Sequence, residues 1–491
     1  MSRHAGRIFA ADGDNAIRFA QVNKAANKLG NSLARRGAKK GAIVASMMKN
    51  SVEAVIIRIA AYKAGWVFCG LIDDFSPQAV LEMLGEVGAT VLFVDAANLS
   101  RVDFAELMQH TKIKLVISTV EAKGAVRLAD LLSEGESEEP EVEIAPDDVA
   151  AIGFTSGTTG RSKGVVWTQA AWMQSFYNML CNRQQVVRAD DVFLHVIPFS
   201  TAGSLVLLPC LAGGMRNVYL SEFNPRDVCE LIQKHHVTRL FLAPVFLVDL
   251  WDFYVAGGRK YDLGSLQSIN VGSEPMYAAK YQVIQKDLGV MLDHGYGMAE
   301  VLAPLTTHRT DCDTVQPGNQ LSVGHVADGV EIRVVDADEA GRGRLAIKSK
   351  SRASGYWCRS ELTAQHFVGD QFLTNDIGYF DGDGCLYLLD RKDDVIERGG
   401  CKVFPRIIEE RLHTCAAVKD AAVIEKEGKI VAYVTARRGH RIDVGALQAT
   451  CERWLLRHER PDTFVVVGNF PISTSGKVLK RKLADLKGRL A

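Results

Sequence analysis

The feature that most restricts this chain is a repeated switch between helical and strand periodicity through its first half. In residues 20–37, AQVNKAANKLGNSLARRG, Val22, Ala25, Leu29 and Leu33 recur at helical spacing, and the apolar run AIVASMM follows at 42–48. The same alternation returns in VEAVIIRIAAYKAG (52–65), in PQAVLEMLGEVGA before TVLFVD (77–95), and in RDVCELIQKHHV before TRLFLAP (226–244). Short apolar strands separated by amphipathic helices predict an α/β fold with doubly wound, mostly parallel sheets covered on both faces. From about residue 322 the texture changes. Shorter strands with turn signals, such as GVEIRVVDADEAGRGRLAIKS (329–349) and the DGDG at 381–384, predict a small antiparallel or barrel-like subdomain over about 322–390. A strand-and-helix mixture ending in a basic tail predicts a small α+β C-terminal domain, and the boundary is placed near Asp393, giving units 1–392 and 393–491. The acidic stretch 134–148 is expected to be a solvated connection.

Composition excludes several classes. With 47% hydrophobic and 24% charged residues the chain is neither disordered nor a membrane protein, and 58 basic against 58 acidic residues leave no net field for nucleic acid or acidic lipid. The cysteines are scattered with no CxxC pair or metal-ligand spacing, so they are expected to be reduced packed thiols. No apolar run approaches the ~18 residues of a membrane span. A cytoplasmic location without nucleic-acid or membrane partners is the expectation, with oligomeric state open.

The most informative loop is FTSGTTGRSKG, residues 154–164, lying between apolar runs. Glycines let backbone N–H groups approach an anion, the hydroxyls of Thr155, Ser156, Thr158 and Thr159 add donors, and Lys163 adds charge. It is not a Walker A loop, because Ser162 precedes the lysine and Gly164 stands where a magnesium-binding hydroxyl belongs. Surface loops also contain Gly, Ser and Thr. The seven fixed positions of SGTTGxxKG, however, arise by chance in about one chain per million of this length.

With this loop, further segments occur in order: GSEP at 272–275, GYGMAE at 295–300, TND at 374–376, DRKDDVIERGGCKVFPRIIEE at 390–410 and PISTSGK at 471–477. Through them nearly the whole chain resembles the adenylate-forming superfamily of acyl- and aryl-CoA ligases, peptide-synthetase adenylation domains and luciferases. The resemblance implies ATP-dependent activation of a small carboxylic acid to an acyl- or aryl-adenylate with loss of pyrophosphate. Transfer to a thiol follows, that of coenzyme A or of a carrier protein's phosphopantetheine. Such chemistry requires charge stabilisation and positioning more than a general base, since the acid is already ionised at neutral pH.

By motif match, Thr155, Ser156, Gly157, Thr158, Thr159, Gly160 and Lys163 would wrap the phosphates of ATP, and Glu300 would help hold Mg2+. Asp376 and Arg391 would reach the ribose or phosphate, with Ser273, Glu274, Pro275, Tyr296, Gly297 and Met298 around AMP. Lys477 resembles the mobile lysine that bridges the α-phosphate and the substrate carboxylate. The acyl pocket would draw on Phe199, Ser200, Gly203, Phe246, Val271, Gly272 and Val301, and the thiol tunnel on Gly399 and Gly400, with Asp393 as the hinge of a domain rotation. The absence of an aspartate to pair an ammonium disfavours α-amino acids. Ala299, Asn375 and Asp390 depart from the family's threonine and glycines. These departures motivate one other reading, a nucleotide-binding scaffold without turnover; transfer to an amine or activation of an unusual small acid are further alternatives.

Overall fold

The computed structural model describes every residue except 13–14, 73–74, 156–161, 182–186, 308–319, 487–488 and 491. Two large sheets form the N-terminal domain. One has eight strands, and its central strands Val149–Thr155, Val67–Gly70, Ile43–Met47, Val91–Val94 and Leu115–Ser118 run parallel, with Lys163–Thr168 antiparallel at one side. The other has seven, in which Met291–His294, Ser268–Val271, Arg239–Leu242, Val192–His195 and Arg216–Tyr219 are parallel neighbours. Nearly unbroken burial along these strands follows from helices covering both faces.

Local sequence sets the helices. The helix Phe19–Arg35 buries Val22, Leu29 and Leu33, as its spacing predicts, while Ala25 lies at the edge of that core. Helix Val52–Ala64 begins where Ser51 Oγ accepts from Ala54 N and stops at Gly65, which takes the left-handed conformation at φ 65°.

Five antiparallel strands between Val330 and Arg391 form the small subdomain, with the long strand Gln371–Phe380 paired to Leu386–Arg391. The C-terminal domain packs helices Pro405–His413 and Val444–Trp454 with the sheet built on Val418–Lys426, Lys429–Ala436 and Thr463–Val467. The acidic stretch is solvent-exposed as expected, and it also lies as a strap on helix Phe19–Arg35, where Asn27 Nδ2 donates to Ser137 O at 2.8 Å and Arg35 pairs with Glu136 at 3.0 Å.

The small domain is seated on the large one through helix Pro405–His413. Tyr277 Oη donates to Glu409 Oε2 (2.8 Å), Ala278 N to Glu410 Oε1 (2.7 Å), and Lys280 Nζ to Val418 O (2.7 Å). Farther along, Arg437 meets Asp252 at 2.7 Å and lies 4.0 Å from the Trp251 ring.

Candidate active site

The site assembles at the carboxyl edge of the seven-stranded sheet. Strands Ser268–Val271 and Met291–His294 are parallel neighbours in register, Val271 opposite His294, so residues 272–275 and 295–300 leave the same edge side by side. Ser273 there takes φ 75°, a left-handed conformation uncommon outside glycine. Tyr296 Oη donates to Asp376 Oδ2 at 2.5 Å, and Arg391 Nε lies 3.7 Å from Asp376 Oδ1 across the strand pair that places the two residues opposite each other. Burial, then the adjacent Asp376 carboxylate, raise the Tyr296 phenol well above its ordinary value, so it remains a proton donor. Asp376 is tied locally by its own N–H to Thr374 Oγ1 at 2.9 Å.

A second line of groups runs beside it. Tyr356 Oη donates to Glu300 Oε1 at 2.9 Å, and Lys163 Nζ lies 5.6 Å from the Tyr356 ring centroid. Thr155 and Lys163 face each other across antiparallel strands, which closes the two ends of the glycine-threonine loop. Ser156, Gly157, Thr158, Thr159 and Gly160 lie outside the described residues. Among the described residues no cluster of three His, Cys, Asp or Glu could enclose a metal. A lone half-buried carboxylate suits Mg2+, which keeps its waters and takes the rest of its shell from phosphate oxygens.

Lys477 enters from the C-terminal domain on a tight turn. Ser473 N donates to Lys477 O (2.8 Å), Lys477 N to Ser473 Oγ (3.0 Å), and residues Ile472 and Val478 bridge. Gly476, at φ 82°, packs so closely on the start of helix Pro244–Ala256 that an added Cβ would stand 2.6 Å from Ala243 Cβ and 3.1 Å from Phe246. The turn is thereby pressed onto the large domain, and Val478 N donates to Glu274 Oε1 at 2.9 Å.

That contact makes docking pH-dependent. Burial raises Glu274 from 4.5 to about 7 against the pull of Lys477, and burial likewise raises Glu410 to about 8 and Asp390 to about 6. Each therefore binds its proton more tightly when docked than when free. Their favourable contribution is complete below about pH 4 and is lost as pH rises through 6 to 8. In nucleotide-free protein, exchange protection of the Val478 amide, corrected for intrinsic rate, should fall on the order of tenfold between pH 5.5 and 8. Glu274→Gln should flatten that slope. Protection that does not change with pH contradicts this account.

The acyl-pocket residues separate. Phe199 and Ser200 line one cavity with Arg58, Phe68 and Gly70. Gly203, Phe246, Val271, Gly272 and Val301 do not line it. Val301 has no exposed surface and packs with Tyr296, Leu305 and Val323 under the antiparallel subdomain, which corrects its assignment to the pocket wall. Gly297 and Met298 form the turn before it, with Met298 N donating to Val301 O at 3.3 Å. Pro275 is exposed beside the buried Met276.

Two anchors carried no local signal in the sequence. Asn50, 5% exposed, donates from Nδ2 to Ile197 O (3.1 Å) and His195 O (3.3 Å) and accepts from Phe199 N (3.0 Å). It holds the loop carrying Phe199 and Ser200. Asn50→Leu strands these backbone groups and should destabilise by about 3 kcal/mol, lowering the melting midpoint by roughly 5 °C. An unchanged midpoint would falsify the anchoring role. Tyr356, the second, meets Glu300 only through the fold.

Two of the departures have structural work. Asn375 Nδ2 donates to Asp393 Oδ2 at 3.1 Å, and Asp390 Oδ2 accepts from Arg406 N at 3.0 Å. Both side chains, absent from a glycine, tie the linker to its flanks. Gly399 and Gly400 form the turn between Ile396–Arg398 and Cys401–Val403, at φ 60° and 78°, as a two-residue hairpin turn of mirror-image type requires. Open space surrounds both.

The family model for AMP-binding enzyme matches residues 1–357, and that for AMP-binding enzyme C-terminal domain matches residues 407–477. The chain belongs to the AMP-binding enzyme family. It is similar to 4-coumarate–CoA ligases of Vanilla planifolia (28% identity over 97% of this chain and 89% of that protein) and Pinus taeda (26%, over 100% and 93%). Its fold matches that of the anthranilate CoA ligase AuaEII in complex with anthranoyl-AMP, with TM-score 0.90 at 21% identity over 99% of this chain and 95% of that one. It also matches the amide bond synthetase McbA of Marinactinospora thermotolerans, with TM-score 0.86 at 24% identity over 98% and 97%. At these identities the structural matches speak to fold alone.

Proposed function

We propose that this chain is an AMP-forming acid:thiol ligase that joins a carboxylic acid to the α-phosphate of ATP, expels pyrophosphate, and passes the acyl group to coenzyme A. One observation carries the reading: the Lys477 turn is pressed onto the edge from which Glu274 and Tyr296 emerge, with Asp376 bonded to that tyrosine and paired with Arg391. ATP bound there has its ribose at Asp376, its triphosphate along Lys163 and the threonine-glycine loop, and Mg2+ beside Glu300. The substrate carboxylate attacks the α-phosphorus, and the Lys477 ammonium offsets charge developing between them. No base is needed, because the acid arrives ionised.

The second half-reaction needs a different arrangement, since the docked turn covers the edge. The linker around Asp393 would turn and bring Gly399 and Gly400 to a pantetheine arm, for which the two 4-coumarate–CoA ligases are the guide to acceptor. Acid-dependent exchange of labelled pyrophosphate into ATP tests the first step, and coenzyme A, carrier proteins and amines offered as acceptors test the second. Exchange followed by transfer only to protein or amine would reject coenzyme A. No exchange with any acid rejects the adenylation itself.

A further inference from the structure

Helix Val52–Ala64 is otherwise an apolar, buried helix, yet it carries Arg58, 6% exposed, in the middle of its buried face. The guanidinium carbon lies 4.1 Å from the Phe68 ring centroid, 4.8 Å from that of Trp172 and 5.6 Å from that of Tyr62. Among the described residues its one hydrogen bond runs from Nε to Tyr62 Oη at 3.0 Å, and it forms no ion pair. Aromatic faces attract a cation, but more weakly than water solvates one, so a guanidinium caged in this way lacks its natural complement. That complement is a planar anion able to take two parallel N–H bonds.

Arg58 also lines the cavity shared by Phe199 and Ser200, with Ser46 and Ser204 adding hydroxyls. There is room for about one water-sized body, which suits the end of a ligand and not a whole one. Packed side chains, not an open channel, connect the wall of this cavity to the catalytic edge. The Trp172 ring lies 5.7 Å from that of Trp167, and Trp167 Nε1 donates to Ala299 O at 2.7 Å, one residue before Glu300. Ser200 and Arg58 line the same cavity, so a substrate whose body passes Ser200 would bring its far end to Arg58.

We infer that the acid activated by this chain carries a second anionic group, a distal carboxylate, that pairs with Arg58 at the blind end of the acyl pocket. The inference rests on the adenylation reading and narrows its substrate to diacids. Arg58 selects and positions, and takes no part in the chemistry at the α-phosphorus.

The test offers straight-chain and aromatic acids, each with and without a distal carboxylate, in pyrophosphate exchange. At least one diacid should show kcat/KM about tenfold or more above its matched monoacid, carried by KM. Arg58→Met should abolish that preference, and Arg58→Lys, which keeps the charge, should retain part of it while reporting that the site still folds. Monoacids preferred throughout, with the Arg58→Met enzyme ranking every pair as the parent does, overturns the inference. Arg58-dependent stimulation of monoacid turnover by chloride or nitrate also overturns it, because the cavity then serves a free anion. Should no acid of either kind support exchange, the adenylation reading fails, and calorimetric titration with diacids still decides this one. Binding that Arg58→Met removes upholds the anion site, and the absence of binding sinks it.

Discussion

Lys477→Ala should lower acid-dependent pyrophosphate exchange by on the order of 10^3-fold while sparing transfer from pre-made acyl-adenylate to coenzyme A. The tail holds several lysines, and the structure separates their duties. Lys480 Nζ pairs with Glu409 at 2.8 Å. Burial opposes its charge, but Glu409 and Asp390 outweigh that and hold the ammonium above the usual lysine value. It holds Glu409, the carboxylate that Tyr277 meets across the domain seam. Lys477 is exposed at the tip of the turn, its backbone fixed through Ser473 while its side chain is left to reach the reacting atoms. Lys480→Met should therefore weaken domain seating, visible as faster exchange at Val478, whereas Lys477→Ala should leave that protection in place and remove the chemistry. Equal loss in both half-reactions for Lys477→Ala would show that the residue seats the domain and nothing more.

Asp376→Ala should raise KM for ATP about 100-fold with a much smaller change in kcat, the signature of binding shared by ground and transition states. The carboxylate accepts from Tyr296 Oη and lies beside Arg391, so it is oriented before nucleotide arrives. Removing it strands a buried phenol and an arginine together with the ribose hydroxyls. The parent enzyme should discriminate against ATP lacking those hydroxyls, and Asp376→Ala should lose that discrimination, since the two deletions remove one interaction. Full discrimination in the variant would move ribose recognition to another residue.

How far the sequence could be read depended on the range over which each interaction acts. Helix Phe19–Arg35 and the strands with unbroken burial were legible because periodicity and burial are local consequences of side-chain order. The turn around Gly476 was legible because its backbone is set by its immediate neighbours. The strap over 134–142 was not. Its charges rightly point to solvent, but only the partners on a helix a hundred residues earlier show where it is seated. Val301 directly follows Glu300 but is buried in the core under the subdomain, which adjacency in sequence does not reveal.

Asn375 and Asp390 show the same limit from another side. Read against glycines, they suggest a weakened enzyme. In the fold each bonds the linker, and the loss becomes a tether. Asn50, Tyr356 and Arg58 carried no signal because each acts on a group brought from another part of the chain.

The order of residues alone determined the α/β class, the strand-helix units and the family motifs, since these follow from periodicity, turn chemistry and short spacings. The tertiary structure alone decided that the Lys477 turn is pressed onto the large domain, which carboxylates meet across the seam between domains, and that Arg58 is buried beside the cavity lined by Phe199 and Ser200. Those are matters of proximity between segments far apart in the chain, and a charge takes its energy from what folding places around it.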